Sequence, residues 1–294
     1  MSQIKFIVLI ICLLLNYKTF ARENNVSHSF TVTQYLKELV LGKKAVAPTI
    51  PTEELQDYVL LQKSLGKPIN LTERFGFNFR GVDFGNIYLN KANLRKAILS
   101  NAIFDLADLS NIDLSDALLF RASAKGADFN GALLNRTNLR NVDFELADLR
   151  DASLIKADLR GANLNGANLR GANLSGANLS GANLSGANLT NTHLSEANFT
   201  GANLKGALLA KANLYKADFT DANMENGNLY NSAAIDATFK NTQMRNVDLR
   251  RADIRGADFR EALIGGTIFR RATFGSLTTD NINQQALIEQ LINE

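Results

Sequence analysis

Two histidines, one cysteine and a dense set of aspartates and arginines are the residues of this 294-residue chain with chemistry to offer. His28 lies near the N-terminus, and His193 stands where a repeating pattern otherwise places Asn, with Asn173 and Asn213 twenty residues to either side. The repeat sets no carboxylate, serine–base pair or metal partner beside it. Cys12 belongs to an apolar N-terminal run, Phe6 to Leu15. Eleven aspartates recur at one fixed place in the repeat, where regular spacing alone creates many apparent carboxylate pairs, and they read as solvated or turn-bonding. Glycines such as Gly161 and Gly166 recur at corners and do not form a phosphate-binding loop leading into a helix. The chain is therefore expected to have no catalytic residue, no metal site and no cofactor.

Binding is the better expectation, and departures from the repeat are where to look for it. Arg245, Arg250, Arg251, Arg255, Arg260, Arg270 and Arg271 crowd the C-terminal end against Asp248, Asp253, Asp258 and Glu261. This patch fits an anionic partner, either an acidic protein or an anionic envelope component, unless the interleaved aspartates cross-pair with it. Tyr215, Ile235 and Arg255 share a register position, with Tyr230 nearby, and make a candidate aromatic-plus-arginine contact. A second off-pattern group is apolar: Ile98, Ile103, Leu106, Leu118 and Phe120, continued by Leu133, Leu146 and Ile155. These are expected to face outward and to receive the helical N-terminal segment.

The element that must position these residues is a five-residue repeat over residues 77–276. Every fifth residue from Phe79 to Phe274 gives 40 positions, of which 38 are Leu, Phe, Ile or Met, the exceptions being Ala124 and Ala234. The position two before is Ala in 28 of the 40, and the residue between is Asn or Asp in 25, so the motif is not a chance pattern. Five fits neither the helical 3.6 nor the strand period of 2. A short extended step that buries a small and a large residue and then turns a corner does fit, and stacked copies close a parallel β-solenoid. All three prolines (Pro48, Pro51, Pro68) precede the repeat, as expected if proline deletes ladder donors.

The pattern A-(N/D)-(L/F)-X-X resembles the pentapeptide repeat protein family, unbroken over 200 of the 294 residues. The resemblance implies a right-handed quadrilateral parallel β-helix with four pentapeptides per coil, hence ten coils and a length of roughly 48 Å. Four per coil stacks Phe199, Phe219, Phe239 and Phe259 in one interior column and places Ala124 between Phe104 and Phe144. Ala234, between Leu214 and Ile254, is expected to pack loosely or to bend the stack. Well-known members bind DNA gyrase as DNA mimics, which needs a strongly acidic surface and access to the cytoplasm. Here residues 77–276 carry 23 basic and 20 acidic residues, so that activity and nucleic-acid partners are not expected.

An open solenoid needs caps at both ends. Helical stretches are expected over Thr33–Leu41 and Thr52–Leu65, the latter between Pro51 and Gly66, and a C-terminal capping helix over Asn281–Asn293. In some family members a C-terminal helix makes the dimer contact, so both monomer and dimer are open. Lys5, the apolar run and Thr19-Phe20-Ala21 read as a signal peptide cleaved after about Ala21, too short to span a bilayer. The expected organisation is signal peptide 1–21, helical cap 22–76, solenoid 77–276 and capping segment 277–294, in a periplasmic or secreted protein without disulfides. Its expected role is that of a non-enzymatic interaction or structural scaffold exported from a bacterial cytoplasm, with a secreted effector acting on a host protein as an alternative.

Overall fold

A computed structural model of the chain describes residues 52–279. The expected signal peptide, His28, the expected helical stretch Thr33–Leu41 and the expected capping helix over Asn281–Asn293 lie outside the described residues. Helix α1 (Thr52–Ser64) carries Glu53 and Glu54 in its first turn and Lys63 in its last, each complementing the helix dipole. It ends in a Schellman closure: Gly66, at φ 62°, donates to Lys63 O (3.0 Å) and Lys67 donates to Gln62 O (2.9 Å). A short helix that the sequence reading did not anticipate, α2 (Leu71–Phe75), follows after Pro68. Leu55, Val59, Ile69 and Leu71 are buried, and Ile69 O accepts a 3.4 Å hydrogen bond from Asn93 N–H. That amide lies at the entrance to the solenoid, so the segment closes off a ladder donor that would otherwise face open solvent.

From Asn78 onward the chain is a right-handed β-helix. Each central residue bridges, in parallel, to the residue twenty further on, in 37 consecutive steps from Asn78↔Ile98 to Asp258↔Thr278. Sheet pairing is confined to one residue per pentapeptide, because the three residues that make each corner leave room for no more. The Ala-type and Leu/Phe-type positions flank that residue and both point inward, so that Ala162 and Leu164 or Ala217 and Phe219 are fully buried. Phe199, Phe219, Phe239 and Phe259 stack face to face at centroid separations of 4.8, 5.2 and 5.0 Å. Across Ala124 the rings turn away from one another: Phe104 stacks on Phe84, and Phe144 lies edge-on to Phe129.

The register does not bend at Ala234, whose N–H reaches Asp253 O at 2.7 Å like its neighbours in the ladder. What is unusual there is Ser232, a buried hydroxyl without a hydrogen-bond partner. Thr137, Thr192, Thr242 and Thr267 occupy the same kind of position, and each donates its hydroxyl to a backbone carbonyl.

Every corner from Gly81 to Arg271 has its second residue at positive φ, 39 in all, and only 13 of these are glycine. The rest are Asn, Asp, Lys, Arg, Glu and two Leu, with no β-branched or aromatic residue, as left-handed backbone demands. Each corner closes with a bond such as Ala162 N–H to Leu159 O (3.0 Å), the geometry of a type II turn.

Candidate functional site: an arginine-lined corner

Three of the five N–H groups in a pentapeptide bond to neighbouring coils, as Gly161, Asn163 and Leu164 do, and a fourth closes the corner, as Ala162 does. The fifth belongs to the first corner residue, and the Asn/Asp position supplies its acceptor. All 25 Asn and Asp residues at that position accept this bond through Oδ1, from Arg80 N–H to Asn78 (3.3 Å) to Arg260 N–H to Asp258 (3.0 Å). Proline at the first corner residue would forfeit this bond, a second reason for its absence alongside the ladder itself. Ser123 and Ser153 cannot reach, and the coil before rescues them. Asp105 accepts from Ser123 Oγ (2.6 Å) and Lys125 N–H (3.0 Å), and Asn135 accepts from Ser153 Oγ (2.7 Å) and Ile155 N–H (3.0 Å).

When the position is Asp and the corner begins with Arg, the carboxylate takes a second role. Arg150, Arg160, Arg250, Arg255 and Arg260 each fold back onto the Asp two residues earlier, as in Arg255 Nε–Asp253 Oδ1 at 2.9 Å and Arg255 Nη2–Asp253 Oδ2 at 2.7 Å. The guanidinium hydrogen bond holds the carboxyls of Asp158, Asp248, Asp253 and Asp258 below their ordinary value. The C-terminal basic patch is thus largely neutralised where this spacing occurs. Arg245 reaches Glu225 at 3.5 Å.

One corner is different. Backbone bonds Asn231 N–H to Arg250 O (2.9 Å) and Arg251 N–H to Arg270 O (3.1 Å) stack Tyr230, Arg250 and Arg270 in one column, with Arg251 and Arg271 in the next. These five side chains line a recess of about 200 Å³. Half-buried Tyr230 sits under two guanidiniums, Arg250 at 6.0 Å and Arg251 at 5.9 Å from its ring centroid. Asp248 is bound side-on by Arg250. Arg270 has Ile268 where its counterparts have Asp. Among the described residues, no carboxylate is paired with Arg251 or Arg270. Asp248 and Ile268 are thus the residues that separate the neutralised arginines from the available ones, and the sequence reading did not assign them that role. The signal was present as the spacing Asp-X-Arg against Ile-X-Arg.

The other candidates are dispersed. Tyr215 is exposed with the Lys216 ammonium 5.0 Å from its ring, Ile235 is half-buried, and Arg255 is paired with Asp253, so this column is separate from the recess. Ile103, Leu106 and Leu118 are exposed, and Ile98 and Phe120 half-buried, the last beneath Arg121 at 4.9 Å. Bridges join Ile98 to Leu118 on one face, Ile103 and Leu133 belong to two others, and Leu106 and Leu146 occupy left-handed corners. His193 is exposed between Asn173 and Asn213. Among the described residues no group of three His, Cys, Asp or Glu is placed to hold a metal, and no helix is long and apolar enough to cross a membrane.

The model for "Pentapeptide repeats (8 copies)" matches residues 78–116, 112–151, 152–191, 192–233 and 235–271. The chain belongs to the pentapeptide repeat family. Among solved structures, this pentapeptide repeat protein is similar to QnrB1, a plasmid-mediated fluoroquinolone resistance protein, at 21% identity and TM-score 0.50, covering 70% of this chain and 95% of that one. It is also similar to HetL, a pentapeptide repeat protein involved in heterocyst differentiation regulation from the cyanobacterium Nostoc sp., at 27% identity and TM-score 0.35, covering 76% and 96%. No curated protein matches the sequence. The likeness to QnrB1 is one of fold.

Proposed function

We propose that this pentapeptide repeat protein is a non-enzymatic interaction scaffold, exported from a bacterial cytoplasm, that meets an anionic partner through the Tyr230–Arg250–Arg251–Arg270–Arg271 corner. The regular middle of the solenoid acts as a spacer that sets this corner at a fixed distance from the capped entrance. The observation that carries the reading is the contrast between five arginines satisfied by their own aspartates and Arg251 and Arg270, with which no carboxylate is paired among the described residues. A basic contact surface is the opposite of what DNA mimicry requires.

The test has two parts. A tagged chain is localised to cytoplasm, periplasm or medium, and the mature protein is then crosslinked to its neighbours in that compartment. Capture is compared among wild type, the double variant Arg251→Gln/Arg270→Gln, and Arg260→Gln at a neutralised corner. The reading predicts a crosslinked partner lost in the double variant and kept in Arg260→Gln. A cytoplasmic chain, or capture indifferent to the double variant, overturns it. Inhibition of gyrase supercoiling by the mature protein would also speak against it.

A further inference from the structure

We infer that the capped entrance of the solenoid docks on an anionic lipid bilayer through the C-terminal half of α1 and Tyr88. This surface is separate from the arginine corner and does not depend on the role proposed for it. Among the described residues, seven large apolar side chains are more than half exposed, and five of them fall between Leu60 and Tyr88. The other two, Leu106 and Leu146, each lie against a glycine of the next coil, Gly126 and Gly166, and so have a place in the stack. Helix α1 buries Leu55 and Val59, while Leu60, Leu61 and Leu65 stay 62%, 54% and 54% exposed. Leu65 continues the helix, its N–H reaching Leu61 O at 3.1 Å, so these two leucines stand one turn apart on one face. Tyr88, 60% exposed, lies beside that half of the helix, with the Lys63 ammonium 4.8 Å from its ring centroid.

The charge around these side chains selects the partner. Between Asp57 and Glu73 the chain carries Lys63 and Lys67 and no acid. The acids of α1, Glu53, Glu54 and Asp57, belong to its first half, and Glu54 is turned to Arg74 at 3.8 Å. Asp108, which bridges Tyr88 from the next coil, accepts from Ser110 N–H (3.1 Å) and Ser110 Oγ (2.7 Å). Exposed leucines flanked by lysines and one tyrosine match the layers of a bilayer interface. The leucines enter the acyl boundary, the lysine stems lie along it with their ammoniums among anionic headgroups, and the tyrosine sits at headgroup level. At 13 residues α1 is shorter than the roughly 20 needed to cross a bilayer, so the contact is one of surface association. The Schellman closure at Gly66 fixes the helix end that bears Leu65, which limits the freedom lost on docking. Docking at this end leaves the C-terminal coils free for a second partner.

Flotation of the full mature chain with lipid vesicles tests this. The probes are vesicles of phosphatidylcholine alone and vesicles of phosphatidylcholine and phosphatidylglycerol in equal amounts. Binding is expected to the anionic vesicles only, and it should weaken as salt is raised. Leu61→Ser/Leu65→Ser should weaken it about tenfold, and Lys63→Gln/Lys67→Gln about thirtyfold. Leu133→Ser, at an exposed leucine of a solenoid face, and Arg251→Gln/Arg270→Gln should leave it unchanged. The chain has no tryptophan, so Leu65→Trp reports from the patch alone. Its emission should move to the blue with anionic vesicles, whereas that of Leu133→Trp should not. Thermal melting of each variant checks that the solenoid is intact. No binding to anionic vesicles, equal binding to both vesicle types, or binding that survives either patch variant overturns the inference. So does a concentration-dependent dimer lost in Leu61→Ser/Leu65→Ser in a chain that does not float, which would assign the patch to a second copy. Flotation lost in Arg251→Gln/Arg270→Gln but kept in the patch variants would move the lipid contact to the arginine corner, sinking this inference alone and leaving the scaffold reading standing.

Discussion

Two stretches of the solenoid share a backbone and differ in almost everything else. From Gly161 to Thr190 each corner has glycine in the left-handed position and asparagine accepts the spare N–H. From Asn228 to Arg271 the left-handed residues are Asn231, Asp236, Asn241, Asn246, Arg251, Gly256, Glu261, Gly266 and Arg271, and three of the acceptors are aspartates tied to arginines. Bridges and turn bonds run unchanged through both. The fold therefore does not need its consensus at every corner, and Lys91, Arg121 and Arg136 show that it accepts long side chains at left-handed corners elsewhere too. What sets the C-terminal coils apart is their density of arginine, set against a middle that repeats one pentapeptide.

The largest expected difference lies in the core. Leu179 and Phe219 belong to one interior column, but only Phe219 is sandwiched between stacked rings, 4.8 Å from Phe199 and 5.2 Å from Phe239. Phe219→Ala should cost about 3–5 kcal/mol in denaturant unfolding, exceeding Leu179→Ala by about 1 kcal/mol from lost ring stacking. Equal losses would mean that the aromatic column adds nothing to the coils that carry the surface. A smaller effect separates the acceptor position from its neighbours. Asn178→Leu removes the acceptor 3.0 Å from Ser180 N–H and should cost about 1 kcal/mol. The reverse change, Leu208→Asn, supplies an acceptor that Ala210 N–H lacks and should stabilise by a few tenths of that.

Arg251→Gly brings the two regions into direct opposition. It relieves a left-handed arginine and should raise stability by roughly 0.5–1 kcal/mol after the greater freedom of glycine in the unfolded chain is subtracted. The same change should weaken capture of the crosslinked partner at that corner. A variant that is both more stable and less able to bind would mark Arg251 as retained for contact. Loss of stability would show that the guanidinium over Tyr230 matters more to folding than the corner does.

Much of the fold was legible because burial repeats with a fixed period. The buried columns, the phenylalanine stack and the end of α1 at Gly66 all follow from residue type and spacing. The left-handed corners were less legible, since Lys91, Leu106 and Glu196 adopt positive φ with no sign of it in their side chains. Nor did residue types reveal that Asp105 and Asn135 serve the next coil, because that bond exists only once the coils are stacked. At the candidate site the arginines were recognisable but their pairing only partly so. Asp253 two residues before Arg255 is a readable sign of its pairing, whereas the partner of Arg245 is Glu225, twenty residues earlier and beside it only once the coils stack.

The smallest predicted effect concerns pH. Arginine hydrogen bonds lower the carboxyls of Asp248, Asp253 and Asp258 in the folded chain, beneath the unfolded value of about 3.9. The stability they contribute is therefore complete above that value and is lost as pH falls through the lower folded values. Residues 161–190 contain no carboxylate at all. Coils in a solenoid answer chiefly to their nearest neighbours, so acid should loosen the C-terminal coils before the middle. Amide exchange at pH 5 and pH 3, corrected for intrinsic rates, reads this directly as a fall in protection around Asp248–Arg260 relative to residues 161–190. The arginine of each pair is half-exposed and screened by solvent, so the fall is modest. Asp253→Asn should reduce it, since the amide still accepts from Arg255 N–H but carries no charge to titrate. A uniform loss of protection along the solenoid would show instead that the coils unfold as one unit, and the spacer could not then be separated from the surface by stability.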